Sequence, residues 1–179
     1  MKHIPLYSLV LFPPSEQSAT VKSYKQLLRN AIGWFSSANS AGHITIIQFK
    51  NDLELSLYIN QVREFCKTVV IQNVTLNVFG TFENSGAFYI APDTTSKLYL
   101  DSLILSMHEF LGFKIDQENV NAHMSIGRKL FGDNMKTTKE LFNAIRVNLQ
   151  FPCDALYVRK FNEDTQQYSD IVEKITFGK

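Results

Sequence analysis

Cysteine is scarce. Only Cys66 and Cys153 occur among 179 residues, too few for a disulfide framework, and neither stands in the CxxC or Cys/His spacing that a zinc site uses. A reducing, cytoplasmic setting and a chain without metal or cofactor are expected. Long apolar runs are missing too. No window approaches the roughly 18 apolar residues of a membrane span, and the stretch MKHIPLYSLVLFPPSE has no small-residue cleavage site after its short apolar run. It reads as a first strand, and no membrane partner is expected. The third absence is an excess of one charge sign. With 18 Lys and Arg against 17 Asp and Glu, the formal net charge is +1, which excludes a protein that coats long nucleic acid by counterion release. A nucleic-acid substrate would be met locally, at one end or one phosphate.

What is present is enough apolar material for a core. A hydrophobic share of 45% and an aromatic share of 12% at this length suit a single domain over 1–179, expected as a monomer. Ile4 to Phe12 is a β-branched and aromatic run ended by Pro13-Pro14, hence a strand. From Ser18 to Ser37, Val21, Tyr24, Leu28, Ala31 and Phe35 recur at helical spacing. His43 to Phe49 is the next strand, and Asn51 with Glu54 is a capping-box pattern for a helix through Leu55, Ile59, Val62 and Cys66. Val69 to Phe82 alternates, and the turn Glu83 to Gly86 leads it into Ala87 to Ala91 as a hairpin. Thr94 to Leu111 is a long helix stopped by Gly112, and His123 to Leu130 is again a strand. Thr137 with Glu140 is a second capping-box signal, before a helical run through Leu141, Ile145 and Leu149. Asp154 to Phe161 and Tyr168 to Phe177 close the chain as a hairpin.

The order of elements repeats, with halves at about 1–83 and 84–179, and it sets the triplets His43-Ile44-Thr45 and His123-Met124-Ser125 in corresponding places 80 residues apart. The expected architecture is α+β: a duplicated, pseudo-twofold domain whose two antiparallel sheets form a central cleft, with helices outside. In a strand, residues i and i+2 share a face, so each triplet presents an imidazole beside a hydroxyl. Two such pairs facing one cavity offer two groups that titrate near neutrality and two hydroxyl donors, which is what displacement at phosphorus uses. Ser and Thr are common enough for such spacing to arise by chance, so structural histidines remain the other reading of the residues alone.

The segments GHITI (42–46) and AHMSIGRKL (122–130) resemble the paired HxTx and HxSx motifs of the two-histidine (2H) phosphoesterase superfamily, in particular its 2′-5′ RNA ligase-like and cyclic phosphodiesterase members. The second motif, with Gly127 and Arg128, is similar to the form HxTLxR, and both YSLVLFPPSE and the closing hairpin resemble the ends of that family. The resemblance implies a duplicated α+β fold, no metal, and chemistry at an RNA-type 2′,3′ diol. It implies His43 and His123 as catalytic acid and base, Thr45 and Ser125 as ligands of phosphate oxygens, and Arg128 as a further phosphate ligand. Ser125 stands where Thr is frequent, and Gly42 where the ligase-like group often has Pro.

The activity expected is hydrolysis of a 2′,3′-cyclic phosphate on a nucleotide or RNA terminus. The alternatives are 2′-5′ RNA ligation or binding of a nucleotide or RNA end without turnover. Elsewhere, His3 and His108 read as surface histidines, Trp34 and Phe35 as core, and Arg159 and Lys160 as strand-end charges. Phe82, Phe88 and Tyr89 flank the hairpin where an aromatic could stack a base.

Overall fold

Local chemistry sets where each element starts and stops. In the computed structural model, which describes residues 6–50 and 54–178, the elements are β1 (Tyr7–Leu11), α1 (Ser15–Ile32), β2 (Ile44–Phe49), α2 (Leu55–Cys66), β3 (Gln72–Phe82) and β4 (Ala87–Pro92). Then follow α3 (Thr94–Phe110), β5 (Met124–Gly127), α4 (Asp133–Phe142), β6 (Leu149–Cys153), β7 (Ala155–Asn162) and β8 (Gln167–Thr176). Pro13-Pro14 ends β1 because neither residue can donate to a ladder. Gly33, at φ 79°, ends α1 and donates its N–H to the Arg29 carbonyl at 2.9 Å, a conformation that suits glycine. The Asp93 carboxylate caps α3 by accepting from the Ser96 N–H at 2.8 Å.

The eight strands make one antiparallel, curled sheet in the order β6-β3-β4-β5-β2-β1-β7-β8. Two groups of four meet in its middle, where the pairing between β5 and β2 is Ile44 opposite Met124. The two sheets expected from the repeat are thus joined edge to edge by one rung. The strand groups also cross the sequence division near residue 83: β3 lies with β4 and β5, whereas β7 and β8 return beside β1. Helix α1 packs on α4, β5 and β6, and α3 packs on α2, β2, β3 and β4. Leu9, Leu11, Ile44, Ile90, Met124 and Ile126 are fully buried between these layers.

Several expectations need correction. Helix α1 ends at Ile32, not Ser37, so Trp34 falls outside it and is 68% exposed, while Phe35 joins the core. Thr137 lies inside α4, which starts at Asp133 after Gly132, so Thr137 and Glu140 form no cap. The run through Leu149 is not helical: 149–153 is β6, an alternating strand at the sheet edge, where Pro152 is tolerated because it has a neighbour on one side only. Asn51, with its capping box, and His3 lie outside the described residues.

Met124 is wholly buried at the joint between the groups. Met124→Ala should therefore cost about 2–5 kcal/mol of stability, read from urea unfolding. A loss well under 1 kcal/mol would mean that the rung contributes little to holding the halves together.

Candidate active site

Both motifs are shaped by the same irregularity. His43 and His123 each stand immediately before a strand, at Ile44 and Met124. Along β2, Val10 of β1 faces Thr45 and Leu9 faces Ile47, leaving Ile46 as an extra residue. Along β5, Tyr89 of β4 faces Ser125 and Phe88 faces Gly127, leaving Ile126 as the extra one. A bulge thus falls three residues after each histidine, and bulges re-aim side chains beside functional sites. It lets Ile46 and Ile47, and likewise Ile126 and Gly127, all turn inward while Thr45 is exposed and Ser125 half-buried. The antiparallel rung Ile44–Met124 runs His43 toward Ser125 and Thr45 toward His123. The structure therefore brings all four motif residues to one face at the sheet's centre.

The imidazoles are held alike. His43 Nδ1 lies 2.7 Å from the Ala41 carbonyl and His123 Nδ1 lies 2.7 Å from the Asn121 carbonyl. A carbonyl only accepts, so each Nδ1 carries hydrogen and each neutral ring offers its Nε2 lone pair. The segments bearing those carbonyls are tied to helices. Lys25 of α1 is 3% exposed, and its ammonium donates to the Ser37 carbonyl (2.9 Å), Ser40 Oγ (3.2 Å) and the Ile126 carbonyl (3.1 Å). It fixes both the turn before His43 and the bulge after Ser125. Burial first, and Arg128 second, push this lysine down to about 8. Asp101 of α3 does the corresponding task for the other histidine, accepting from the Ala122 N–H at 2.9 Å.

The walls differ. Around His123 they are aromatic: the Phe82 and Tyr89 ring centroids each lie 5.1 Å from the imidazole and 4.3 Å from each other. Gly80 makes room for this stack, since a Cβ there would sit 2.7 Å from the Tyr89 ring. Around His43 they are aromatic and cationic. Phe12 is 6.1 Å from the imidazole and 5.1 Å from Tyr157, and the guanidinium of Arg159 lies 5.3 Å from the Phe12 ring centre. Arg128, expected as a phosphate ligand, is exposed just after β5, and its charge bears on both histidines. Burial, then Arg159, Lys25 and Arg128, hold His43 down to about 3 against the pull of the Ala41 carbonyl. His123 is lowered by burial and by Arg128, again opposed by its carbonyl partner. Both rings are neutral at pH 7, with Arg128 and Arg159 near them and Lys25 buried behind the motif segments.

Sequence reasoning missed Lys25, Asp101 and Arg159. The one available signal for Arg159 was its i+2 spacing from Tyr157 along β7, which puts both on the cleft face. A cavity of about 460 Å³ lined by Phe79, Phe88, Lys139, Phe142 and Arg146 lies on the helix-covered side of β3, away from the motif residues. Among the described residues, no group of three or more His, Cys, Asp or Glu could hold a metal ion, and no helix is long and apolar enough to cross a membrane.

The depressed histidines carry a stability consequence. Below about pH 6.5 the unfolded chain takes up protons that the folded one refuses, so stability should fall as pH drops from about 6.5 toward 3. His43→Gln should flatten part of that limb, read as urea-unfolding free energies at pH 7 and pH 5. An equal acid loss in both proteins would put His43 at its ordinary pKa.

No protein-family model matches the sequence, and neither does any curated protein. Solved structures do. Escherichia coli LigT without ligand is 10% identical, with a TM-score of 0.65 over 98% of each chain. TT0787 of Thermus thermophilus is 13% identical, with a TM-score of 0.63 over 97% of this chain and 98% of its own. Usb1 of Kluyveromyces marxianus is 14% identical, with a TM-score of 0.56 over 97% of each. Further crystal structures of LigT hold 3′-AMP, ATP, phosphate or NADP+. With near-complete coverage in both directions, this chain has the fold of LigT, TT0787 and Usb1, the α+β fold expected from the resemblance of its two histidine motifs.

Proposed function

We propose that this protein is a phosphoesterase that opens a 2′,3′-cyclic phosphate on a nucleotide or RNA end, with His43 as general base and His123 as general acid. The observation that carries this reading is the matched pair of Nδ1-anchored imidazoles, each with Nε2 available and a hydroxyl two residues on. His43 Nε2 takes a proton from water as the water oxygen bonds to phosphorus. The phosphorus–oxygen bond to one ribose oxygen breaks, and His123 Nε2–H supplies the proton that this oxygen needs. Thr45, Ser125 and Arg128 hold the non-bridging oxygens. The roles follow from charge: His43, beside Arg159 and Lys25 as well as Arg128, is the harder of the two to protonate. Replacing water by the 5′-hydroxyl of a second RNA end, which bonds to phosphorus as the 3′ oxygen leaves and takes a proton, turns the same groups to 2′-5′ joining. Nucleotide complexes of LigT support a nucleotide-sized ligand, and the two buried, unpaired thiols suit a reducing, cytoplasmic setting. A monomer suffices, since both motifs come from one chain.

Activity on adenosine 2′,3′-cyclic phosphate should survive EDTA, because no step above passes through a metal. His43→Ala and His123→Ala should each lower kcat by about 10²-fold or more, and the double variant should lose far less than the product. Small, equal losses at both positions would make the motifs structural.

The pH profiles test the role assignment. The free protein needs His43 neutral and His123 protonated, so kcat/KM should already be falling by pH 7, above the lowered pKa of His123. A bound phosphate anion raises both imidazoles, so the kcat optimum should lie at higher pH than that of kcat/KM. A kcat/KM that climbs steadily from pH 6 to 9 would refute the assignment. Phosphate affinity that tightens in acid without any turnover would instead identify a binding module.

A further inference from the structure

Arg159 is a buried cation without an anion. It is 4% exposed, its Nη2 donates to Ser8 Oγ at 3.3 Å, and its Nε is buried with no hydrogen-bond partner. Among the described residues no carboxylate forms an ion pair with it. Its guanidinium is held between two rings, 5.3 Å from the centre of Phe12 and 5.5 Å from that of Tyr168. Stacking offsets part of the cost of burial, but the hydrogen-bonding edge of the fork is left short of acceptors. A desolvated charge in that state is costly, and costly groups of this kind mark sites completed by a ligand.

Its address in the sheet says which ligand. Along β1, Val10 lies between Thr45 and Tyr157, and Ser8 lies opposite Arg159, one same-face step further from the histidine motif. Phe12 touches both His43 and Arg159, so a single ring separates the candidate general base from the unpaired cation. In the other half of the sheet, Ser125, Tyr89 and Gly80 repeat the positions of Thr45, Val10 and Tyr157, and Ala87 opposite Phe82 repeats Ser8 opposite Arg159. Arg159 therefore takes the place that an aromatic ring holds in the other half. The cleft is apolar at one end and cationic at the other, with the motifs between.

We propose that Arg159, with Ser8, is a second phosphate subsite, and that the substrate carries a further phosphate about one nucleoside away from the one that reacts. This rests on the proposed phosphoesterase reading for the identity of the central site. Two chemistries would satisfy it: a terminal 5′-phosphate monoester on a mononucleotide, or the next phosphodiester of an RNA end. In either, the guanidinium fork meets non-bridging oxygens as charge-assisted donors.

The test is binding, measured calorimetrically at pH 7 with adenosine 3′-monophosphate, adenosine 3′,5′-bisphosphate and the dinucleotide ApA carrying a 3′-phosphate. The wild-type protein should bind at least one of the two-phosphate ligands about tenfold or more tightly than the 3′-monophosphate. Preference for the bisphosphate assigns a monoester, and preference for the dinucleotide a diester. Arg159→Met, which keeps the stem and removes the charge, should bring the ratio close to one, and Arg159→Lys should restore part of it. Thermal melts of both variants check that they fold. A ratio near one in the wild type, or an unchanged ratio in Arg159→Met, overturns the subsite. If the ratio behaves as expected while no cyclic phosphate is turned over, the subsite stands and the hydrolase reading falls.

Discussion

The rung between Ile44 and Met124 is the contact on which the site depends. Two four-stranded groups meet there and the described ladder between them has no second pair, so the position of one motif relative to the other is fixed by this pair and by the layers packed beneath it. Each residue is the middle of its triplet and is wholly buried. Because side chains alternate along a strand, burying the middle residue turns the flanking histidine and hydroxyl to the open face. Hydrophobic burial thereby sets the geometry of the motif side chains. A slip of one residue on either strand would put an imidazole into the core and the middle residue of its triplet, Ile44 or Met124, into the cleft.

Around that rung the duplication is close in backbone and loose in chemistry. Both halves place a bulge after the hydroxyl residue, and both tie the imidazole Nδ1 to the carbonyl two residues before it. The supports behind those carbonyls have opposite charge: an ammonium from α1 in one half and a carboxylate from α3 in the other. Each satisfies what its own loop leaves open, carbonyl oxygens in the first case and an N–H in the second. The walls diverge in the same way, with Arg159 in one half where the other has Phe82. Pseudo-symmetry lays out two equivalent imidazoles, and the unlike neighbours make them chemically unequal, which an acid–base pair requires.

How much of this was readable beforehand depended on range. His43, Thr45, His123 and Ser125 could be found because the period-2 rule acts within three residues and the repeated order of elements supplied the correspondence. Helix α3 and the β3–β4 turn were legible for the same reason, through Gly112, Gly86 and regular spacing. The segment Leu149–Cys153 was not, since its apolar residues fit either the tail of a helix or an alternating strand, and only pairing with β3 decides. Lys25 shares the buried face of α1 with Val21 and Leu28, and the carbonyls that satisfy its charge are 12 and 101 residues away in sequence. Arg159 looked like a charge at a strand end, and nothing local places Phe12 and Tyr168 on either side of it. What escaped were the long-range polar contacts, which carry no period.

The low pKa of His43, set first by burial, is deepened by the same cations that would meet a phosphate. Burial first, and then Arg159, Lys25 and Arg128, make a positive charge on the imidazole unfavourable while the cleft is empty, and the same cations would favour an entering phosphate. Once an anion is seated, its charge offsets theirs, and the histidine farther from Arg159 and Lys25 is the first able to keep a proton. Ligand binding and protonation of His123 therefore reinforce each other, by the reciprocity that governs any pair of linked equilibria. Empty, the cleft holds two neutral rings and no poised acid. In the proposed reaction the filled cleft would hold one proton beside the departing oxygen and one lone pair beside the attacking one, and the charge that the substrate brings would set the order of the two states.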